Sequence, residues 1–139
     1  MQIQPYLFFE GRCDEALAYY QKAIGAKLEA LMRYKDNPSP EHNRPGAAEK
    51  VMHCNFRVGD TQVMASDGNC SGKPGFQGFA LTLNARDEAE ARRLFAALAE
   101  GGQVQMPLGK TFFSPAFGMA TDRFGVTWMV IVPAPSQPA

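Results

Sequence analysis

Val51-Met52-His53-Cys54-Asn55-Phe56-Arg57-Val58-Gly59-Asp60-Thr61-Gln62-Val63-Met64 reads as strand, tight turn, strand, and ends in methionine. Gly59-Asp60 suits a two-residue hairpin turn. The register it sets puts Met52, Cys54, Phe56, Val58, Val63 and Ala65 on one face, because successive side chains in a strand alternate. The other face then carries His53, Asn55, Arg57, Gln62, Met64 and Ser66. Residues 116–129 repeat the pattern, with Asp122-Arg123-Phe124-Gly125 as a type I turn followed by a glycine bulge. That reading puts Phe117, Met119, Val126, Trp128 and Val130 on one face, and Gly118, Ala120, Thr127, Met129 and Ile131 on the other.

The repeat extends outward from the hairpins. Asp14-Glu15-Ala16 recurs as Asp87-Glu88-Ala89, each time after a strand-like run (residues 6–9 and 79–83) and at the head of a helix-like one. Leu17, Tyr20 and Ile24 fall at helical spacing and Gly25 supplies a stop, which predicts a helix over residues 13–24. Ala91, Leu94, Phe95 and Leu98 make the corresponding stripe, closed by Gly101-Gly102. Two copies of a βαβββ unit account for this order. The expected fold is α+β: two paired βαβββ modules forming a curved, mostly antiparallel sheet, with helices outside and a concave cavity inside. We expect a single domain over residues 1–139, with module one at about 1–68, a linker at 68–76, module two at 77–133 and a frayed tail at 134–139. Gly78, Ala80, Gly118 and Ala120 are read as the small residues that make room for the cavity. Residues 27–34 read as a second strand. Residues 35–49 hold Pro38, Pro40, Pro45 and Gly46 and read as a long loop, a lid or an interface arm.

Composition bounds the function. Lys plus Arg and Asp plus Glu both number 14, so the formal charge is zero and no basic stripe points to nucleic acid. No apolar run approaches the ~20 residues that span a bilayer, and no signal peptide is read at the N-terminus. Cys13, Cys54 and Cys70 are odd in number and lack CxxC spacing, which suits reduced thiols in a cytoplasmic protein. Neither a G-x-S-x-G elbow nor a P-loop or dinucleotide fingerprint is present.

The paired units, the helix end Ala18-Tyr19-Tyr20-Gln21-Lys22-Ala23-Ile24-Gly25 and the closing Asp122-Arg123-Phe124-Gly125-Val126-Thr127-Trp128 resemble the vicinal-oxygen-chelate superfamily. This is the group of glyoxalase I, extradiol dioxygenases, and bleomycin and fosfomycin resistance proteins. Val51-Met52-His53-Cys54, the downstream Met64-Ala65-Ser66-Asp67 and the Pro-rich loop look most like its PhnB-like branch. The resemblance covers essentially the whole chain. It implies ligands at the first and last strand of each unit in the metal-dependent members, and the matching positions here are Pro5, Met64, Gly78 and Met129. Proline and glycine offer no donor, and thioethers suit soft copper(I) rather than the harder ions of that superfamily. No metal and no cofactor are therefore expected.

The candidate ligand-binding residues are His53 and Asn55 on the polar face, Met64 and Met129 as an adaptable apolar floor, and Asp67 after the strand. For each there is a plainer reading: a hydrogen bond from His53 to Ser66, packing for the methionines, and a linker cap for Asp67. Trp128 is assigned to the helix-packed core. The function expected is binding of an unidentified small molecule in a concave pocket, without metal, by a homodimer. The alternative is a metal-dependent lyase, isomerase or dioxygenase with displaced ligands.

Overall fold

The computed structural model describes residues 1–134; the expected frayed tail beyond Ala134 lies outside the described residues. The chain runs β1 (Tyr6–Phe8), α1 (Cys13–Ile24), β2 (Lys27–Arg33), β3 (Val51–Val58), β4 (Thr61–Ser66), β5 (Leu81–Asn84), α2 (Glu88–Ala99), β6 (Gln103–Gly109), β7 (Phe117–Thr121) and β8 (Thr127–Ile131). This is βαβββ twice. Each copy forms a four-stranded mixed sheet, ordered β1-β4-β3-β2 in one and β5-β8-β7-β6 in the other. The first and last strands of each copy pair in parallel, and the other pairs are antiparallel. The chain divides into two compact units at Gly75/Phe76, inside the expected linker.

In the first unit, α1 buries Cys13, Ala16, Leu17, Tyr20, Ala23 and Ile24, the apolar stripe its spacing dictates. Tyr20 stacks on Phe56 with centroids 6.2 Å apart and lies 6.0 Å from Phe9. The hairpin register is the expected one. Val58 pairs with Thr61 across Gly59-Asp60, Phe56 with Val63 and Cys54 with Ala65. Gly59 takes φ +56, the left-handed conformation such a turn requires. Leu7 and Phe9 complete the helix-facing layer, while Tyr6 and Phe8 point to the other face.

Met52 departs from the expected face. The β2–β3 register shifts between Met32↔His53 and Arg33↔Val51, so β3 carries an extra residue there. Such a bulge re-aims side chains: Val51 is buried in the core, and Met52 joins the face of Tyr6 and His53.

In the second unit, α2 starts behind Asp87, whose carboxylate accepts from the backbone N–H of Glu90 at 2.8 Å. The expected face of β7 is reversed. Ala120 pairs with Trp128, and Gly118 with Val130, so these four share the helix-facing layer. Phe117, Met119, Thr121, Thr127, Met129 and Ile131 lie opposite. The turn explains the error: Asp122 N–H bonds to Val126 O at 2.9 Å, so three residues rather than four lie between the last paired positions of the hairpin. A one-residue change in register swaps every side chain to the other face. Gly118 therefore makes room for α2 and not for a cavity. A Cβ there would sit 2.8 Å from Phe95 Cε2 and 2.9 Å from Leu108 Cα. Gly118→Ala is expected to cost about 1–3 kcal/mol by overpacking, read as a lowered denaturation midpoint. β6, which the sequence reading left unmarked, is an exposed edge strand.

Candidate functional site

The first unit contains a cavity of about 930 Å³. Its floor is the sheet face opposite α1: Tyr6 and Phe8 from β1, Met52 from β3 and Ser66 from β4. One wall comes from the loop after β2, through Tyr34, His42 and Arg44. The other wall is Glu10 and the linker, with Gly68, Asn69, Ser71, Lys73 and Gly75. The Tyr6 and Phe8 rings lie 4.7 Å apart, which gives the floor a continuous aromatic surface.

The loop of residues 35–49 is not a free arm. Its base is closed by Tyr34 N–H to Lys50 O and Lys35 N–H to Ala48 O, both 3.0 Å. Arg33 grips Asp14 through both guanidinium nitrogens at 2.8 and 3.0 Å, and donates to Glu49 O at 2.7 Å. Asn43 donates to Tyr34 O, and Asn37 to Asn43 Oδ1. Two short 3-10 turns fill the span, so His42 and Arg44 are presented from a folded segment.

Arg44 spans the gap to the linker, donating to Gly68 O at 3.2 Å and Asn69 Oδ1 at 2.6 Å. The Glu10 carboxylate accepts from the backbone N–H groups of Asn69 and Ser71, each at 3.2 Å. Burial pushes the Glu10 carboxyl up, but the Ser71 hydroxyl, these two N–H groups and the Arg44 charge outweigh it and hold it below its ordinary value. A depressed carboxyl contributes stability above its unfolded pKa, which is lost as pH falls through the folded one. Acidification through the carboxylate range is therefore expected to loosen residues 68–73, seen as a fall in amide protection relative to the intrinsic exchange rate; Glu10→Gln should abolish that fall. Burial pushes the Tyr34 phenol up, so it stays neutral. The Lys73 ammonium makes no ion pair among the described residues.

Of the expected ligand residues, the structure brings three together. Asn55 sits opposite Met64, which neighbours Tyr6 on the parallel side. His53 bonds through Nε2 to Asn55 Oδ1 at 3.1 Å and through Nδ1 to the Tyr6 hydroxyl at 3.0 Å, not to Ser66. Ser66 Oγ instead accepts from Gly68 N–H. None of His53, Asn55 and Met64 is among the residues that line the cavity, and Asp67 does not reach it either. Asp67 is 1% exposed, and its carboxylate accepts from Cys13 N–H at 2.8 Å and Val51 N–H at 2.6 Å. Its work is to hold the first turn of α1 to β3. Met129 lies on β8 in the second unit, where its sulfur accepts from Thr82. Arg57 and Gln62 are held at the turn by Glu29. The residues that the sequence reading missed include Tyr6, Phe8, Glu10, Tyr34, Arg44, Met52 and Lys73. Tyr6-Leu7-Phe8-Phe9 is apolar throughout, so its alternation is invisible, and the loop residues arrive only through tertiary folding.

The donor set implied for a resident divalent ion does not fit. Pro5 and Met64 are neighbours, with Met64 N–H on Pro5 O, yet they offer only a thioether; Gly78 and Met129 offer no more. Among the described residues no group of three His, Cys, Asp or Glu side chains could hold a metal. Nor does a helix N-terminus await a phosphate: Asp67 fills that of α1, and Asp87 that of α2.

The sequence model of one protein family, described as 3-demethylubiquinone-9 3-methyltransferase, matches residues 1–131. The chain belongs to this family. It is 36% identical over 140 residues to Protein YjdN of Escherichia coli, covering 95% of each chain. Among solved structures it resembles protein PA1353 from Pseudomonas aeruginosa, at 46% identity and a TM-score of 0.84 over 96% of this chain and 98% of that one. A PhnB protein from Bacillus cereus, described as a putative 3-demethylubiquinone-9 3-methyltransferase, follows at 28% identity and a TM-score of 0.79, with 95% and 99% covered. At the level of fold alone, the likeness extends to the fosfomycin resistance protein FosX of Listeria monocytogenes (TM-score 0.65, 8% identity, 97% and 94% covered). This PhnB-like family thus has the glyoxalase/bleomycin-resistance fold.

Proposed function

We propose that this PhnB-like protein binds a small organic anion with a flat apolar portion in the cavity of its first unit, without a resident metal. The observation that carries the reading is the pairing of an aromatic floor, Tyr6 and Phe8, with the cations Arg44 and Lys73 on the walls of one cavity. Its volume, about 930 Å³, falls in the range of roughly 300–1,000 Å³ typical of small-molecule sites. The chain is neutral overall, so two cations against one internally satisfied carboxylate, Glu10, form a local excess of positive charge. Met52 supplies a deformable edge and Met64 lines the adjoining sheet face.

The experiment is a fluorescence titration with anilinonaphthalene sulfonate, an aromatic anion. The double variant Arg44→Ala, Lys73→Ala is expected to bind about tenfold more weakly, and added salt to weaken the wild type but not the variant. Equal binding by both proteins would count against the pocket. Elemental analysis showing one divalent ion per chain would revive the metal-dependent alternative. Methyl transfer, which the family's description suggests, gains no support from the strand-to-helix turns, where both helix N-termini are filled by the protein's own carboxylates.

Two further readings belong with this one. A homodimer is supported by the edge strands β2 and β6, which expose Leu28, Met32, Val104 and Met106. Light scattering that finds only monomer at micromolar concentration would contradict it. Cytoplasmic placement is supported by three free thiols, two of them, Cys13 and Cys54, buried 3.9 Å apart. The hydrogen bond to Cys54 and burial both push the Cys13 thiol up, so it stays protonated. Among the described residues no helix is long and apolar enough to cross a membrane.

A further inference from the structure

From Tyr6 on the cavity floor a hydrogen-bonded chain runs away from the cavity along the sheet face, and ligand binding alone does not need it. Asn55 Oδ1 lies 3.1 Å from His53 Nε2, and His53 Nδ1 lies 3.0 Å from the Tyr6 hydroxyl. An amide oxygen only accepts, so Nε2 carries the imidazole proton. In the neutral imidazole Nδ1 is then a bare lone pair, to which the Tyr6 O–H donates. The Tyr6 ring lines the cavity, whereas His53 stands behind it with the rings 5.5 Å apart. The phenol oxygen therefore offers its remaining lone pair to whatever lies on the floor, with a base already aligned on its far side.

We propose that Tyr6, His53 and Asn55 form a proton relay that accepts a proton from a weakly acidic hydroxyl, phenolic or enolic, of the bound molecule. This rests on the pocket reading and names the ligand class more closely. The transfer balances without a co-reactant. The ligand O–H breaks as a new Tyr6 O–H forms, and the original Tyr6 O–H breaks as His53 Nδ1–H forms. The products are a ligand oxyanion near Arg44 and Lys73 and an imidazolium whose Nε2–H stays on Asn55 Oδ1. Tyr6 is the residue that touches the ligand; His53 and Asn55 are positioning residues, since they act through it. Asn55 sets the tautomer, as second partners of histidines commonly do.

The test uses para-nitrophenol, whose phenolate absorbs visible light and whose phenol does not. Near neutral pH, where the free probe is only partly ionised, the wild type is expected to show a larger phenolate fraction for bound than for free probe. Nitrogen-15 NMR should show the His53 imidazole with one proton, on Nε2, before binding and two after. Tyr6→Phe and His53→Gln should each lose this excess while still binding the probe. Arg44→Ala should bind more weakly, yet retain the excess in the bound fraction. An excess that survives in Tyr6→Phe or His53→Gln, or an imidazole unchanged on binding, would overturn the relay and leave the pocket standing. So would a wild type that binds the sulfonate dye but not para-nitrophenol. A wild type that binds neither would overturn the pocket reading and the relay together.

Discussion

Asp122→Ala is expected to destabilise the second unit by about 3–5 kcal/mol, the upper end of what single substitutions do. The Asp122 carboxylate is 3% exposed and gathers the whole β7–β8 turn. Oδ1 accepts from the backbone N–H of Phe124 at 2.9 Å and of Val126 at 3.1 Å, and Oδ2 accepts from Trp128 Nε1 at 2.8 Å. Alanine strands all three donors where water cannot reach them, and each stranded donor costs more than the hydrogen bond contributed. Asparagine keeps an acceptor at only one of the two oxygen positions, so Asp122→Asn should fall between. Denaturant melts followed by Trp128 fluorescence would measure both. A loss within about 0.5 kcal/mol, the range of an ordinary surface change, would mean that the carboxylate does not organise the turn.

The second large effect separates the two faces of the first sheet. Phe56 is 2% exposed and stacked on Tyr20, so Phe56→Ala should leave a void and cost roughly 3–5 kcal/mol. His53, three residues earlier on β3, is half-buried on the cavity side. His53→Ala removes two hydrogen bonds with partly exposed partners and should cost at most about 1 kcal/mol. The contrast is the informative part. A His53 variant that unfolds beside a robust Phe56 variant would mean that the faces are reversed and that the cavity floor is misassigned.

Much of the fold was legible because its signals are local. The Gly59-Asp60 turn sets the first hairpin's register, and the α1 stripe and Gly25 place that helix over Cys13–Ile24 as expected. What failed was parity. The Asp122–Gly125 turn was recognised, but one residue too many was counted between the last paired positions, and β7 turned over with Gly118 and Ala120. The bulge at Met52 moved that side chain to the cavity in the same way. Bulges depend on how a neighbouring strand pairs, which a single strand's sequence does not display. The Asp14-Glu15-Ala16 repeat also misleads in detail, since Asp14 lies inside α1 whereas Asp87 caps α2.

Of the candidate site, the sequence displayed one sheet face but not the cavity, whose lining includes none of the expected ligand residues. His53, Asn55 and Met64 are neighbours on one face because hairpin register alone puts them there. Asp67 looked like a ligand residue because it follows the strand; tertiary packing buries it against the first turn of α1 instead. Arg44, Tyr34 and Lys73 come from segments whose sequence shows only polarity and proline. Asn43 holds the Tyr34 carbonyl and Asn69 holds Arg44, contacts that form only once the loop and the linker have folded.

The central claim is that the cavity of the first unit is where a small anion binds. Amide NMR shift mapping of the full chain during titration with anilinonaphthalene sulfonate tests it most directly. The largest shifts are expected at Tyr6, Phe8, Arg44 and residues 66–73, with α2, β7 and β8 unmoved. Shifts concentrated in residues 76–134, or none at saturating dye, would contradict it.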